Sequence, residues 1–178
     1  MTSPAPILFA PILFAAPHRL AFLAGSLGLA AMALWWPMQL AALHFGWPKP
    51  PAGSLPAALL HAPALLLQTY PAFIFGFLLT VFPRWMSQPD LIARQFGPVS
   101  GGLAIGMTAS AIGLWTGADT PVRIGFLICA AFWALGLVVL AAVVRANRRS
   151  GKPPCWHAVS ALAALTIGLG ALLLVCAF

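Results

Sequence analysis

Acidic residues are almost absent from this chain, and their scarcity excludes several kinds of chemistry. Of 178 residues none is Glu, and only Asp90 and Asp119 carry a carboxylate side chain, both in predicted loops. Glycoside hydrolysis by paired carboxylates, peptide hydrolysis with a Glu base, and proton relay through carboxylates within a membrane all need acids that this sequence lacks. The sequence therefore identifies no catalytic residue, and it leaves open whether the protein is an enzyme.

Cysteine is also scarce, and its spacing excludes two kinds of site. Cys129, Cys155 and Cys176 form no CxxC or CxxCH motif. Covalent attachment of c-type haem and a zinc ribbon both depend on such spacings, so neither is predicted. Two of the three cysteines lie within apolar runs, and Cys155 falls on the side predicted below to be cytoplasmic. We expect all three to be free thiols.

Charged residues are absent from five long stretches, which cover residues 20–43, 57–82, 96–116, 124–144 and 158–178. The hydrocarbon core of a bilayer, about 30 Å thick, requires about 20 apolar residues of helix, and each stretch meets that length. Lipid offers the backbone no hydrogen bonds, so these stretches must be helical. We predict an all-α integral membrane protein, a bundle of about five transmembrane helices in the lipid bilayer with no soluble domain.

The residues before the first stretch have a different pattern. Residues 6–15 repeat the sequence PILFA twice, and this repeat is too short and too rich in proline to cross a bilayer as a helix. We predict that residues 1–19 form an N-terminal segment along the membrane interface. Residues 20–178 then form the membrane domain.

The net charge of +7 is explained by its distribution along the chain. If the N-terminus is cytoplasmic, seven of the nine Lys and Arg residues fall on the cytoplasmic side, and Lys49 and Arg123 fall on the other. Such a bias over short loops orients transmembrane helices. We therefore predict a cytoplasmic N-terminus, a periplasmic C-terminus and no nucleic-acid partner. The seven are Arg19, Arg84, Arg94, Arg145, Arg148, Arg149 and Lys152.

Four histidines are the candidate metal ligands, and the predicted topology sorts them into two layers. His18 and His157 lie at cytoplasmic helix ends, whereas His44 and His61 lie at outer ends. Neutral imidazole binds haem iron and copper well, and ionisable groups in or beside a span are often functional. The alternative for each is an interfacial histidine that reaches the lipid headgroups.

The second span combines polar and helix-breaking residues. On a regular helix His61 and Gln68 share one face. Pro63 and Pro71 each remove a backbone hydrogen bond, which at membrane depth is tolerated where protein or a cavity meets the freed carbonyl. We expect this helix to line a site, with Gln68 either supporting a ligand or making an interhelical hydrogen bond.

Two further sets of residues each allow two interpretations. The aromatic residues within spans could flank a macrocycle or serve helix packing; they are Trp35, Trp36, Tyr70 and Trp133. Glycines spaced by four in the third span could form a close-packing surface or be chance small residues. They are Gly102, Gly106, Gly113 and Gly117.

Three blocks of the sequence resemble one known family. They are APHRLAFLAG at residues 16–25, His61-Ala62, and PAFIFGFLLTVFPRW at residues 71–85. These blocks closely resemble the N-terminal half of NnrS proteins, bacterial inner-membrane proteins that contain haem and copper and are associated with resistance to nitric oxide. The basic loop leading to His157 is similar as well. The resemblance covers nearly all of this chain but about half of the family's usual length of around twelve spans.

The resemblance implies a function and a set of site residues. The expected protein is an NnrS-like membrane protein that binds haem b, with copper as a second metal, and protects against nitric oxide. On the matched blocks His18, His61 and His157 are candidate ligands. Gln68 lies outside these blocks and is a candidate neighbour because of its place on the second span. Arg19 and Arg84 would pair with haem propionates because guanidinium binds carboxylate bidentately; the alternative for both is the cytoplasmic charge bias.

Two rival interpretations remain from the sequence. One is a cofactor-free structural or transport half-unit that dimerises. The other is a truncated, inactive NnrS-like product. Five spans of a larger bundle leave a helix face uncovered, and the glycines of the third span supply a close-packing surface, so we expect a homodimer or a complex with a second membrane subunit.

Overall fold

Five long helices make up the computed structural model, which describes residues 12–51 and 53–177. Each is long and apolar enough to cross a membrane, and no strand occurs within the described residues. The predicted fold class is therefore confirmed. The expectation for the start of the chain falls largely on residues 1–11, which lie outside the described residues. The helices are α1 Pro17–Phe45, α2 Ala57–Trp85, α3 Ala93–Thr116, α4 Asp119–Arg149 and α5 Trp156–Cys176.

Consecutive helices run in opposite directions, so their ends gather at two opposite faces. At one face, called here the basic end, His18 of α1 contacts Thr80 of α2. At the other, called the Lys49 end, Ser54 of the α1–α2 loop bonds Asp119 at the start of α4. The seven basic residues grouped by the sequence lie at or near the basic end. Which end faces the cytoplasm stays a prediction.

Helix α2 is interrupted by a π turn at Leu65–Thr69, between α-helical segments Ala57–Ala64 and Tyr70–Trp85. Pro63 and Pro71 lack an amide hydrogen, and the Thr69 hydroxyl donates to the Ala64 carbonyl at 3.1 Å, which adds a side-chain hydrogen bond to this turn. The extra residue in the turn rotates the following segment by about 100°. The predicted common face of His61 and Gln68 assumed a regular helix, whereas Gln68 lies within the π turn.

The glycines of α3 pack against α4 within the same chain. A Cβ at Gly106 would lie 2.6 Å from the Cys129 Sγ, and one at Gly113 would lie 2.6 Å from a methyl of Val122. Phe132 fills the corresponding space at Gly102. The glycine spacing thus marks a true packing surface, but this surface joins α3 to α4 and is already covered. Gly117, with φ of 70°, ends α3 in the left-handed conformation.

Two tryptophans within the bundle donate hydrogen bonds between helices. The Trp35 indole donates to the Leu114 carbonyl at 2.9 Å, joining α1 to α3. The Trp133 indole donates to the Leu165 carbonyl at 3.0 Å, joining α4 to α5. Both side chains are buried, so they serve helix packing. Tyr70, by contrast, is 43% exposed.

Candidate functional site

His61 lies near the Lys49 end, in the first turns of α2, where its ring stacks on Trp36 of α1. The two ring centroids are 4.3 Å apart and the planes differ by 12°. Nδ1 of His61 is buried and has no hydrogen-bond partner within the described residues. A buried polar atom normally has a partner, so this nitrogen points to a group that residues 12–51 and 53–177 do not supply. The stack fixes the plane of the ring.

Gln39, one helical turn beyond Trp36 on α1, is a further polar residue near the same end. Its side chain is 9% exposed, and its amide Nε2 is buried without a partner in the described part of the chain. Gln39 was not among the candidate residues identified from the sequence. The available signal was a single amide within an apolar run, since polar side chains at membrane depth are costly and need a reason.

Gln68 forms a hydrogen bond between helices. It is 2% exposed, and its Nε2 donates to the Ser110 Oγ of α3 at 2.8 Å. Ser110 in turn donates to the Val122 carbonyl of α4 at 3.5 Å. The interhelical hydrogen bond, one of the two predicted roles, is the role found here.

The two histidines of the outer layer are not brought together. His44 is exposed in the last turn of α1. Because His61 stacks on Trp36, His44 lies about 12 Å further along the axis of α1, at a rise of about 1.5 Å per residue. It therefore takes no part in the stacked pair.

At the basic end, His18 has a defined neighbour. Its Nδ1 lies 3.4 Å from the Thr80 Oγ1, and that hydroxyl donates its hydrogen to the Gly76 carbonyl at 2.8 Å. With its hydrogen on the Gly76 carbonyl, the Thr80 oxygen can accept from His18 Nδ1, and that tautomer would leave Nε2 with the lone pair that a metal uses.

His157 is exposed at the start of α5 and lies between two indoles. Its ring centroid is 4.3 Å from that of Trp156 and 6.1 Å from that of Trp85. Such an arrangement is typical of a membrane interface, where indole and imidazole both favour the headgroup region. His157 and His18 contact different residues of α2.

The two candidate arginines have partners of their own. Arg19 donates to the Ile12 carbonyl at 3.1 Å, and Arg84 forms an ion pair with Asp90 at 3.2 Å, with both side chains of that pair largely exposed. Arg84 lies about 35 Å from His61 along α2, at a rise of about 1.5 Å per residue. A single haem cannot contact both, so His61 ligation and propionate binding by these arginines are alternatives.

No group of three or more His, Cys, Asp or Glu side chains that could hold a metal ion occurs within residues 12–51 and 53–177. The three cysteines are free, with Cys129 buried in the α3–α4 contact. A metal held by this part of the chain therefore has few protein ligands from it.

A protein-family model described as NnrS protein matches residues 12–178. The chain belongs to the NnrS family. Searches of curated proteins and of solved structures found no match. Two sequence blocks that carried the resemblance pack on each other in this NnrS chain. A Cβ at Gly76 would meet Ala21 at 2.9 Å, and one at Gly25 would meet the ring of Phe73 at 2.8 Å, so α1 and α2 approach closely near the basic end.

Proposed function

We propose that this NnrS family member binds haem b in a membrane through His61 and takes part in protection against nitric oxide. Family membership supports the general assignment. The observation that carries the choice of ligand is the buried Nδ1 of His61, which has no hydrogen-bond partner within the described residues.

The stack around His61 fits such a group. Trp36 holds the imidazole plane by stacking, and a ring fixed in this way loses little freedom when it binds iron. The haem, when bound, supplies the iron that binds nitric oxide. Copper, the second metal proposed, also accepts imidazole ligands, with further ligands from outside the described residues.

The proposed location is a bacterial inner membrane, crossed several times. The N-terminus and the basic end face the cytoplasm, and the Lys49 end with His61 faces the periplasm. This orientation rests on the distribution of Lys and Arg.

The test is the haem absorbance of membranes that contain the overproduced chain. His61→Phe is the most informative variant, because phenylalanine retains a ring to stack on Trp36 but has no ligand nitrogen. We expect the Soret band to be lost in His61→Phe and His61→Ala, while the amount of protein in the membrane is unchanged. We expect His18→Ala and His157→Ala to keep the band, and nitric oxide to shift it in the wild-type chain.

A second outcome would move the site to the basic end. If both His61 variants keep the wild-type spectrum while His18→Ala and His157→Ala each lose it, the ligands are those of the cytoplasmic layer. The Thr80 hydroxyl lies 3.4 Å from His18 Nδ1 and can hold that ring, and Arg19 and Arg84 lie at the same end. The proposal for His61 would then be wrong.

A cofactor-free half-unit is the second candidate function. The observation that favours it is the largely uncovered helix α5, of whose most apolar stretch only 11% is buried. If the wild-type chain is fully inserted and still shows no Soret band after haem is added, this function is supported over the first.

A further inference from the structure

A cavity of about 560 Å³ lies at the Lys49 end between α1, α2 and the loop that joins them. Its wall is mostly apolar, formed by Trp36 and by several leucines, alanines and a proline. Three polar side chains also line it: Gln39, Lys49 and Ser54. His61 is not one of the lining residues, so the cavity is distinct from the proposed haem ligand.

The amide of Gln39 is the first sign of a ligand. Gln39 is more than nine-tenths buried, and its Nε2 has no hydrogen-bond partner within the described residues. A buried donor without a partner is costly and therefore rare in native proteins. Gln39 also lines a cavity of about 20 Å³, which has room for a single water at most. Nε2 itself has almost no accessible surface, so a rotation of the Gln39 side chain would bring the amide to an acceptor bound in the larger cavity.

The charge of Lys49 is the second sign. Lys49 is the charged residue in the wall of the cavity, and it lies in the loop just beyond the end of α1. Asp119 lies behind this loop, where both of its carboxylate oxygens accept the Ser54 amide at 3.0 Å. Its negative charge is partly offset because it sits at the N-terminus of α4. The polar part of the cavity thus favours an anion that accepts hydrogen bonds.

We propose that this cavity binds the headgroup of an anionic phospholipid. The lipid phosphate accepts a hydrogen bond from the Gln39 amide and lies near the Lys49 ammonium, while the glycerol and upper acyl carbons lie against the apolar wall. The cavity opens where α1 ends and α2 begins, which is the depth of phosphates in a bilayer. A free phosphate has the same headgroup chemistry but leaves the apolar wall unused, so the lipid is the better occupant.

The experiment measures thermal unfolding of the full chain in vesicles of two compositions. One contains phosphatidylcholine alone, and the other contains three parts phosphatidylcholine to one part phosphatidylglycerol. A ligand that binds the folded state raises its melting temperature, so we expect the wild-type chain to melt higher with phosphatidylglycerol. Inorganic phosphate added to the phosphatidylcholine vesicles should not reproduce this rise.

Two variants and one control locate the site. Gln39→Leu keeps a similar volume but removes the donor, and it should abolish the rise. Lys49→Gln should weaken the preference for phosphatidylglycerol about fivefold, since one basic residue near a charged surface contributes that much. Arg148→Gln removes one charge at the basic end and should keep the wild-type response.

Three results would overturn the proposal. If Gln39→Leu is more stable than the wild type in both vesicles and neither variant changes the response to phosphatidylglycerol, the amide is simply unsatisfied or bonded to water. If inorganic phosphate gives the same rise, the occupant is a free anion. If Arg148→Gln alone abolishes the response, the lipid binds at the basic end.

Discussion

Gln68 shows how a polar side chain is accommodated within an apolar span. Its amide donates to Ser110, and Ser110 donates onward to a carbonyl of α4. The two bonds connect α2, α3 and α4 at one point. In a bilayer a buried amide without such a partner has no water to replace it. The Nε2 of Gln39, by contrast, has no partner among the described residues. Of these two glutamines, Gln39 is therefore the one that indicates a ligand.

The first prediction concerns this bond. Ser110→Ala leaves the Gln68 amide buried and unpaired, and we expect the free energy of unfolding to fall by about 1 kcal/mol. Titration of the purified protein with denaturant in detergent micelles measures the change. Thr108→Ala is the control, because the exposed Thr108 hydroxyl bonds only a carbonyl of its own helix among the contacts described.

The double variant Gln68→Met with Ser110→Ala removes both polar groups. We expect it to recover most of the lost stability, because neither partner is then left unsatisfied. If the single and double variants unfold together with the wild type, the hydrogen bond has no measurable effect on stability and the prediction is wrong.

At the scale of helices, the sequence predicts where the spans lie and fails to predict their rotation. Hydropathy located all five helices, because length and freedom from charge are what a bilayer requires. The helices extend a few residues beyond most predicted spans, since backbone hydrogen bonds continue into the interface. The faces of α2 could not be predicted, because one π turn at Leu65–Thr69 shifts every later residue by about 100°. Gln68 lies within this turn, so the direction of its side chain cannot be projected from a regular helix.

The glycine surface of α3 could be predicted from the sequence, but the helix that it contacts could not. Spacing of four residues puts the glycines on one face whatever helix they meet. The partner is the next helix in sequence, α4, because a two-residue connection between them makes the two helices antiparallel neighbours. The candidate site shows the same limit. His61 was identified from sequence, whereas Gln39 and the Trp36 stack depend on how α1 and α2 pack.

The second prediction compares two glycines on α3. A Cβ at Gly106 would lie 2.6 Å from the Cys129 Sγ and 2.8 Å from the Gly125 carbonyl, so Gly106→Ala must separate the two helices. We expect a loss of about 1–3 kcal/mol of stability. At Gly101 nothing lies within 4 Å of the added Cβ, and Gly101→Ala should stabilise the helix by about 0.5–1 kcal/mol.

The free energy of unfolding of both variants is measured in the same detergent. Equal changes for the two substitutions would show that they differ from the wild type in helix propensity alone. That result would remove the α3–α4 glycine contact as a source of stability.

At the scale of the whole molecule, the distribution of charge predicts the orientation of the bundle in the membrane. Seven basic residues lie at or near the basic end, and two lie towards the other end. The third prediction is that the loop between α4 and α5, which contains Lys152, is cytoplasmic. Alkaline phosphatase fused after Lys152 should be inactive, and the same enzyme fused after Lys49 should be active. The reverse pattern would invert the bundle and place His61 on the cytoplasmic side.

Helix α5 is the least covered of the five. Only 11% of its most apolar stretch is buried, against 50% for α2 and for α3. Its buried residues, Ala158, Leu165 and Leu172, repeat every seven positions and form one narrow stripe. The opposite face is apolar, with Ile167 74% exposed and Leu174 66% exposed. The glycines of α3 cannot bind a partner, because α4 already covers them, so the uncovered face of α5 is the better surface.

The last prediction is therefore that a second membrane subunit, or a second copy of this chain, packs on α5. Helix association within lipid depends on close packing rather than on exclusion of water, so a bulky side chain in the contact should weaken it. We expect a particle larger than the 18.7 kDa chain in mild detergent, and we expect Ile167→Trp to reduce it to the monomer. Leu27→Trp, at an equally apolar and exposed position on α1, is the matched control and should leave the particle unchanged. A monomeric wild-type mass with all five helices intact would contradict the prediction, and a monomer produced only by Leu27→Trp would move the contact to α1.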